Sequence, residues 1–157
     1  MKLILVGKAA AGKDFLKNRL VRKGFKPGIS CTTRPPRKNE KHGEDYYFMT
    51  ESEFKSVIES GEMLEHMVFN DWYYGLTKEE FERADVMIMS KDGLDVLPQD
   101  YRDRCMVIWL DPPRITRVER LEYRSDPNDS IIRRMNTDDE QFESFKDYDM
   151  VVRNEDF

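Results

Sequence analysis

The chain predicts an α/β fold: a parallel sheet flanked by helices, interrupted by a small β-rich insert. Three observations carry this. A short apolar run, Leu3–Val6, passes through a glycine-rich turn directly into a helical pattern. Two further strand-like runs, Asp85–Ser90 and Cys105–Leu110, alternate with helical segments. From Asp45 to Gly75 the texture changes to a local β-rich stretch of short segments.

Taken in order, Leu3–Val6 is bounded by Gly7 and reads as a buried strand. Gly12 to Lys23 reads as a helix with Phe15, Leu16 and Leu20 on one side and Gly24 beyond its end. Residues 26–30 are expected to form a second strand. Residues 31–43, rich in Thr, Pro, Arg and Lys, read as an exposed loop. Asp45–Phe48 and Met63–Phe69 read as strands around a helix at Glu51–Ser60. A short helix is expected near Asp92–Val96, helices at Pro112–Arg124 and Ser130–Lys146, and a last strand at Met150–Val152. Met63, Met67, Met87 and Met89 alternate along strands and read as core, as does Trp109.

Composition excludes several classes. Charged residues make up 36% against 39% hydrophobic, and mean hydropathy is -0.75. Nine Phe, seven Tyr and two Trp argue against disorder. The longest apolar run, Cys105–Leu110, is too short to span a bilayer. Met1 and Lys2 lead into only four apolar residues, so no signal peptide is expected. Cys31 and Cys105 make neither a disulfide framework nor a zinc site, and His42 and His66 are poor material for a metal centre. The expectation is a cytoplasmic protein with no membrane contact.

A net charge of -5 argues against a nucleic-acid partner. Its basic minority is clustered, at Arg34, Arg37, Lys38 and Lys41 and again from Arg114 to Arg134. Acids concentrate elsewhere, in Asp138–Glu143 and Asp147–Asp149. This pattern suits a small polyanion.

The most informative local feature is Gly7-Lys8-Ala9-Ala10-Ala11-Gly12-Lys13-Asp14, between the first strand and first helix. It matches the G-x-x-x-x-G-K core of a phosphate-binding loop. Glycines let the backbone close on an anion, and the helix N-terminus aims amide donors at phosphate oxygens. Lys13 adds a cation for the β- and γ-phosphates. Asp14 stands where Ser or Thr normally reaches Mg²⁺; a carboxylate is a hard ligand that can hold the ion itself.

Next comes Ser30-Cys31-Thr32-Thr33-Arg34-Pro35-Pro36-Arg37, then Gly43-Glu44-Asp45-Tyr46-Tyr47-Phe48. Arg34 and Arg37, on a proline-stiffened loop, can converge on one phosphate with forked donors. The hydroxyls of Tyr46 and Tyr74 can reach the same group. Glu65 can accept two N–H bonds from the N1 and N2 edge of guanine, a geometry adenine does not offer.

In these segments, with a late V-V-x-N, the chain resembles guanylate kinase over nearly its whole length. The resemblance implies a nucleoside monophosphate kinase fold of the P-loop type, a single domain over 1–157. Its core would be 1–30, 82–115 and 148–157, with an acceptor-binding insert at 31–81 and a helical lid at 116–147. It implies transfer of the γ-phosphoryl of ATP to GMP, with Mg²⁺ accompanying ATP. Gly7, Lys8, Ala9, Ala10, Ala11, Gly12, Lys13 and Asp14 would hold ATP, with Asn154 at the adenine. Arg34, Arg37, Tyr46 and Tyr74 would hold the GMP phosphate, and Ser30 and Glu65 would read guanine. Arg124 and Arg134 would close over the phosphates beside Lys13 and Arg37. Arg117 and Arg120 share the helical face of Arg124 and read equally well as solvated residues.

The chain departs from the family at several places. Leu76 stands where a guanine-contacting hydroxyl is usual, and Thr77 is the candidate to compensate. Ile88 and Ser90 replace an expected Asp pair. GMP is therefore the expected acceptor, with dGMP or a wider monophosphate range open. The rival is a non-catalytic guanylate-kinase-like binding module, which Asp14 and Ala10 favour and Lys13, Gly12 and the lid arginines oppose. Family members usually continue into a closing C-terminal helix, so another element or a partner subunit is expected to cover that edge, in a monomer or homodimer.

Overall fold

The computed structural model describes residues 1–124 and 130–154. Eight strands and seven helices follow one another: β1 (Lys2–Gly7), α1 (Lys13–Arg22), β2 (Cys31–Thr32), β3 (Tyr47–Phe48), α2 (Glu51–Glu59), β4 (Met63–Phe69), β5 (Trp72–Thr77), α3 (Lys78–Arg83), β6 (Val86–Ile88), α4 (Lys91–Asp95), α5 (Gln99–Arg102), β7 (Cys105–Leu110), α6 (Arg114–Arg124), α7 (Ile131–Phe142) and β8 (Met150–Val152). The expected lid residues 125–129 and the last three residues of the expected core lie outside the described range.

Among the described residues the strands form two four-stranded sheets. The first has the order β6-β1-β7-β8 and every pairing in it is parallel. Ile4, Leu5, Val6, Val86, Met87 and Val107 are fully buried, as expected of parallel strands covered on both faces. The second sheet, β3-β2-β5-β4, is built on the β4–β5 hairpin, which turns through Asn70 and Asp71 with both φ angles positive.

Side-chain caps set the starts of α2, α3, α4 and α7. Thr50 and Glu53 form a reciprocal capping box at α2. Thr77 and Ser90 cap α3 and α4 with their hydroxyls. Glu80 on α3 ties the insert to the first sheet's side of the molecule. Its carboxylate accepts the Ile29 N–H at 2.9 Å, the Tyr47 hydroxyl at 3.2 Å and the Arg83 guanidinium at 2.7 Å.

Several expectations change. Residues 26–30 form no strand: Pro27 makes one isolated parallel bridge to Val86 and has no N–H to extend it. The strand falls instead at Cys31–Thr32, inside the expected exposed loop, and both residues are buried. The expected strand at Asp45–Phe48 shortens to β3, whereas β5, α3 and α5 were not anticipated. Met87 and Met89 are core, but Met63 and Met67 are only half-buried. Phe15 is 58% exposed, so it belongs to no buried face of α1.

Among the described residues no helix is long and apolar enough to cross a membrane. The far end of α7 is anchored in the core, where Phe142 stacks on Trp109 of β7 at 6.1 Å and meets Phe145 edge-on at 5.2 Å. Removing that ring leaves a cavity the neighbouring aromatics cannot fill. Phe142→Ala is expected to cost about 3–5 kcal/mol of unfolding free energy in urea denaturation.

Candidate active site

The site lies where β1 ends. Gly7 pairs with Leu110 of β7, and a Cβ on Gly7 would stand 2.6 Å from the Leu110 carbonyl oxygen. Only glycine lets the strand run this close before the chain turns. The loop then reverses through Ala10 (φ 59°) and Gly12 (φ 98°), and Gly12 becomes the N-cap of α1 without a side-chain bond. The first amides of α1 therefore face outward, as an anion site requires. Lys13 Nζ donates to the carbonyls of Gly7 (2.6 Å) and Lys8 (2.9 Å), which folds the lysine back over the loop. Burial lowers its pKa to about 8, against the opposing pull of Asp14 and Asp138.

A cavity of about 950 Å³ opens above this loop. Its wall brings together Ala9 to Asp14, then Lys17, Gly28, Ser30, Arg37, Glu40, Asp45, Tyr46, Ile88, Arg124 and Arg134. Loop, insert and both helices α6 and α7 thus meet at one space. Asp14 is exposed there and pairs with Lys17 at 3.3 Å.

The other expected residues stand elsewhere. Gly7 and Lys8 lie off this wall; Lys8 turns away to Asp139 at 2.8 Å, beside a smaller cavity of about 330 Å³. Arg34 is buried, and its two terminal nitrogens grip the two oxygens of Glu40 at 2.8 and 2.9 Å. Its guanidinium also lies over the Tyr46 ring, which meets Tyr74 edge-on. Glu40 additionally accepts the Arg37 N–H at 2.7 Å. Burial alone would raise the Glu40 pKa, but the Arg34 fork and the Arg37 amide hold it below the usual carboxylate range. Asn154 is exposed just beyond β8 and lies off the main cavity wall.

The two threonines between Ser30 and Arg34 fix this loop on β5. The Thr32 hydroxyl donates to the Tyr73 carbonyl and accepts the Arg34 N–H, while Thr33 accepts the Tyr73 N–H. Thr77 is spent as the α3 cap, accepting the Glu80 N–H, and lies off the cavity wall. Ser90 is likewise occupied by the Gly93 N–H and the Met67 sulfur. Both hydroxyls thus carry a bond from the helix that follows them.

Glu65 sits on β4 opposite Leu76, 8% exposed and set back from the cavity wall. Burial pushes its pKa up to about 7, partly offset by a bond from the Leu76 backbone. It fits because α4 offers no side chain there: a Cβ on Gly93 would lie 2.6 Å from Glu65 Oε2.

Glu40, Gly93, Asp138 and Asp139 were missed. Glu40 sits three residues beyond Arg37 among basic residues, a usable signal. The expectation that the acids lie away from the basic clusters is wrong for Asp138 and Asp139. Asp138 accepts the Ala9 N–H at 2.7 Å, and Asp139 meets Lys8, Arg114 and Arg117. Arg117 is 2% exposed and Arg120 donates to the Ala10 carbonyl, so neither is a solvated surface residue.

A phosphate loop on a parallel sheet, facing a basic insert and an arginine-bearing helix pair, defines a P-loop nucleoside monophosphate kinase architecture. The guanylate kinase family model matches residues 1–157. Guanylate kinases of Ruegeria pomeroyi and Hyphomonas neptunium are 33% and 34% identical, covering 98% and 99% of this chain and 78% and 76% of their own. A solved guanylate kinase structure from Anaplasma phagocytophilum superposes with a TM-score of 0.74 at 25% identity, over 99% of this chain and 77% of that one. The chain belongs to the guanylate kinase family.

Carboxyl-selective NMR titration is expected to place the Glu65 midpoint near 7. Gly93→Ala should displace the carboxylate and return the midpoint toward the ordinary glutamate range. An unchanged midpoint in that variant would show that the Gly93 contact does not set the burial of Glu65.

Proposed function

We propose that the chain transfers the γ-phosphoryl group of ATP to GMP, giving ADP and GDP. The observation that carries this reading is the shared cavity, whose wall holds the phosphate loop with Lys13, then Ser30, Arg37 and Tyr46 of the acceptor segment, and Arg124 and Arg134. Phosphoryl transfer needs positioning and charge stabilisation more than covalent chemistry, and those are the groups that supply it.

In this reading the α1 amides, the loop from Gly7 to Asp14 and Lys13 hold the ATP phosphates, with Asn154 toward the adenine. Arg37, Tyr46 and Tyr74 orient the acceptor phosphate. Arg34 joins them when phosphate competes with Glu40 for its guanidinium. Ser30 and the ionised Glu65 read the guanine edge. Arg124 and Arg134, from the 116–147 region, spread the charge that builds on the transferring group. Thr77 lies off the cavity wall and caps α3 through one lone pair, and its hydroxyl keeps a proton to donate to the acceptor.

No cluster of three or more His, Cys, Asp or Glu side chains fit for a metal occurs among the described residues. In this reading Mg²⁺ would arrive on the nucleotide, since this ion commonly takes one or two protein carboxylates plus phosphates. Asp14, on the cavity wall at the loop's end, is the carboxylate that fits. Bound there, the ion would neutralise phosphate charge. In this reading base selection falls on Ser30 and Glu65, with dGMP or a wider monophosphate range open beside GMP. A cytoplasmic enzyme is the accompanying assignment.

A coupled ADP-release assay with ATP, Mg²⁺ and GMP, dGMP, AMP, CMP or UMP tests this. Turnover is expected with GMP; none with any acceptor would support the non-catalytic module instead, and equal rates with AMP would remove the guanine assignment. Lys13→Ala and Arg37→Ala should each lower kcat by about a hundredfold or more. Because the Glu65 pKa is raised, its charged form is lost as pH falls through about 7. The kcat/KM for GMP should therefore decline below that pH, and Glu65→Gln should erase the decline. Asp14→Asn should weaken Mn²⁺–ADP binding, read by EPR, on the order of tenfold while metal-free ADP binds as before.

A further inference from the structure

Ala10 occupies the left-handed region at φ 59°, a conformation that a residue with a Cβ adopts only when its surroundings impose it. Glycine would relieve the strain, so a methyl group here needs a reason. The methyl is 5% exposed and packs in a small apolar cluster with Leu121 of α6 and Met135 of α7. The loop backbone on either side of this residue is held from the same two helices, at the peptide that follows it and at the peptide one residue before it. The N–H of Ala9 is bound by Asp138 of α7 at 2.7 Å, and the carbonyl of Ala10 is bound by Arg120 of α6 at 3.1 Å.

On α7, Asp138 lies one turn beyond Arg134; on α6, Arg120 lies one turn before Arg124. Each clamp residue therefore shares a helix face with an arginine on the cavity wall. Asp139, next to Asp138, adds a second anchor through Lys8 at 2.8 Å and Arg117 at 3.1 Å. Phe142, a further turn along α7, is fixed on Trp109.

We propose that Asp138 and Arg120 are positioning residues that clamp the left-handed Ala10 and so hold Arg124 and Arg134 in register with the phosphate loop. The strained alanine and the clamp are one unit: the methyl docks the helices, and the helices hold the conformation that the methyl disfavours. This rests on the assignment of the loop to ATP. Absence of any turnover in the unmodified protein would be the failure of that assignment, separate from the failure of the clamp.

The test is a kinetic cycle over Ala10→Gly and Asp138→Ala at saturating GMP, with melting temperatures measured in parallel. Asp138→Ala is expected to lower kcat/KM for ATP on the order of tenfold with KM for GMP unchanged. Asp138→Asn, whose amide oxygen still accepts the Ala9 N–H, should recover most of that loss. In the Ala10→Gly background, where the loop no longer resists its conformation, Asp138→Ala should cost about twofold or less. An equal factor in both backgrounds, or equal loss in the Ala and Asn variants, overturns the proposal. If Asp138→Ala does not fold, Arg120→Ala replaces it in the same cycle, since it removes the other half of the clamp, and the same comparison decides.

Discussion

The end of β1 sets the geometry of the whole molecule. This strand is hydrogen-bonded on both sides by parallel neighbours, β6 and β7, so its backbone has no freedom until Gly7. There the absence of a Cβ against the Leu110 carbonyl keeps the sheet closed to its last residue. The chain must then turn sharply, and α1 must begin with its unpaired amides aimed into the space above the sheet. The insert, α6 and α7 all gather around that space.

Charge is arranged locally, and the total of -5 conceals it. At the insert, Glu40 braces Arg34 and the Arg37 backbone together, so two cations stay on one short loop. Beside the phosphate loop, Asp138 and Asp139 face Lys8, Arg114 and Arg117. In both places a carboxylate holds a basic group or a backbone amide in place, and repulsion among the arginines is reduced. Arg117 is buried between the two acids, with Nη1 4.0 Å from Asp138 and Nη2 3.1 Å from Asp139, so α6 packs directly on this cluster.

The parallel sheet was legible because apolar runs such as Leu3–Val6 and Cys105–Leu110 bury both faces and need no context. The phosphate loop was legible because its glycines and lysine sit at fixed spacing. The insert was harder. Cys31 and Thr32 lie in a Pro- and Arg-rich stretch whose composition reads as loop, and they become a strand only because β3 and β5 supply partners distant in sequence. Thr77 and Ser90 illustrate the same limit at the site. A hydroxyl in the right neighbourhood looks like a ligand contact, and only the structure shows that a helix begins beside it and bonds to it as well. Asp138 could be read from spacing relative to Arg134, but not its partner, a backbone amide 129 positions away.

The fork between Arg34 and Glu40 has a consequence for how the insert greets an anion. The guanidinium is not waiting bare in the loop; it already holds a resident oxyanion in a bidentate grip. Any anion that came to Arg34 would have to exchange with, or share the cation beside, a carboxylate already seated there. Selection at such a place would turn on the difference between two anions, and it would reward a dianion over a monoanion.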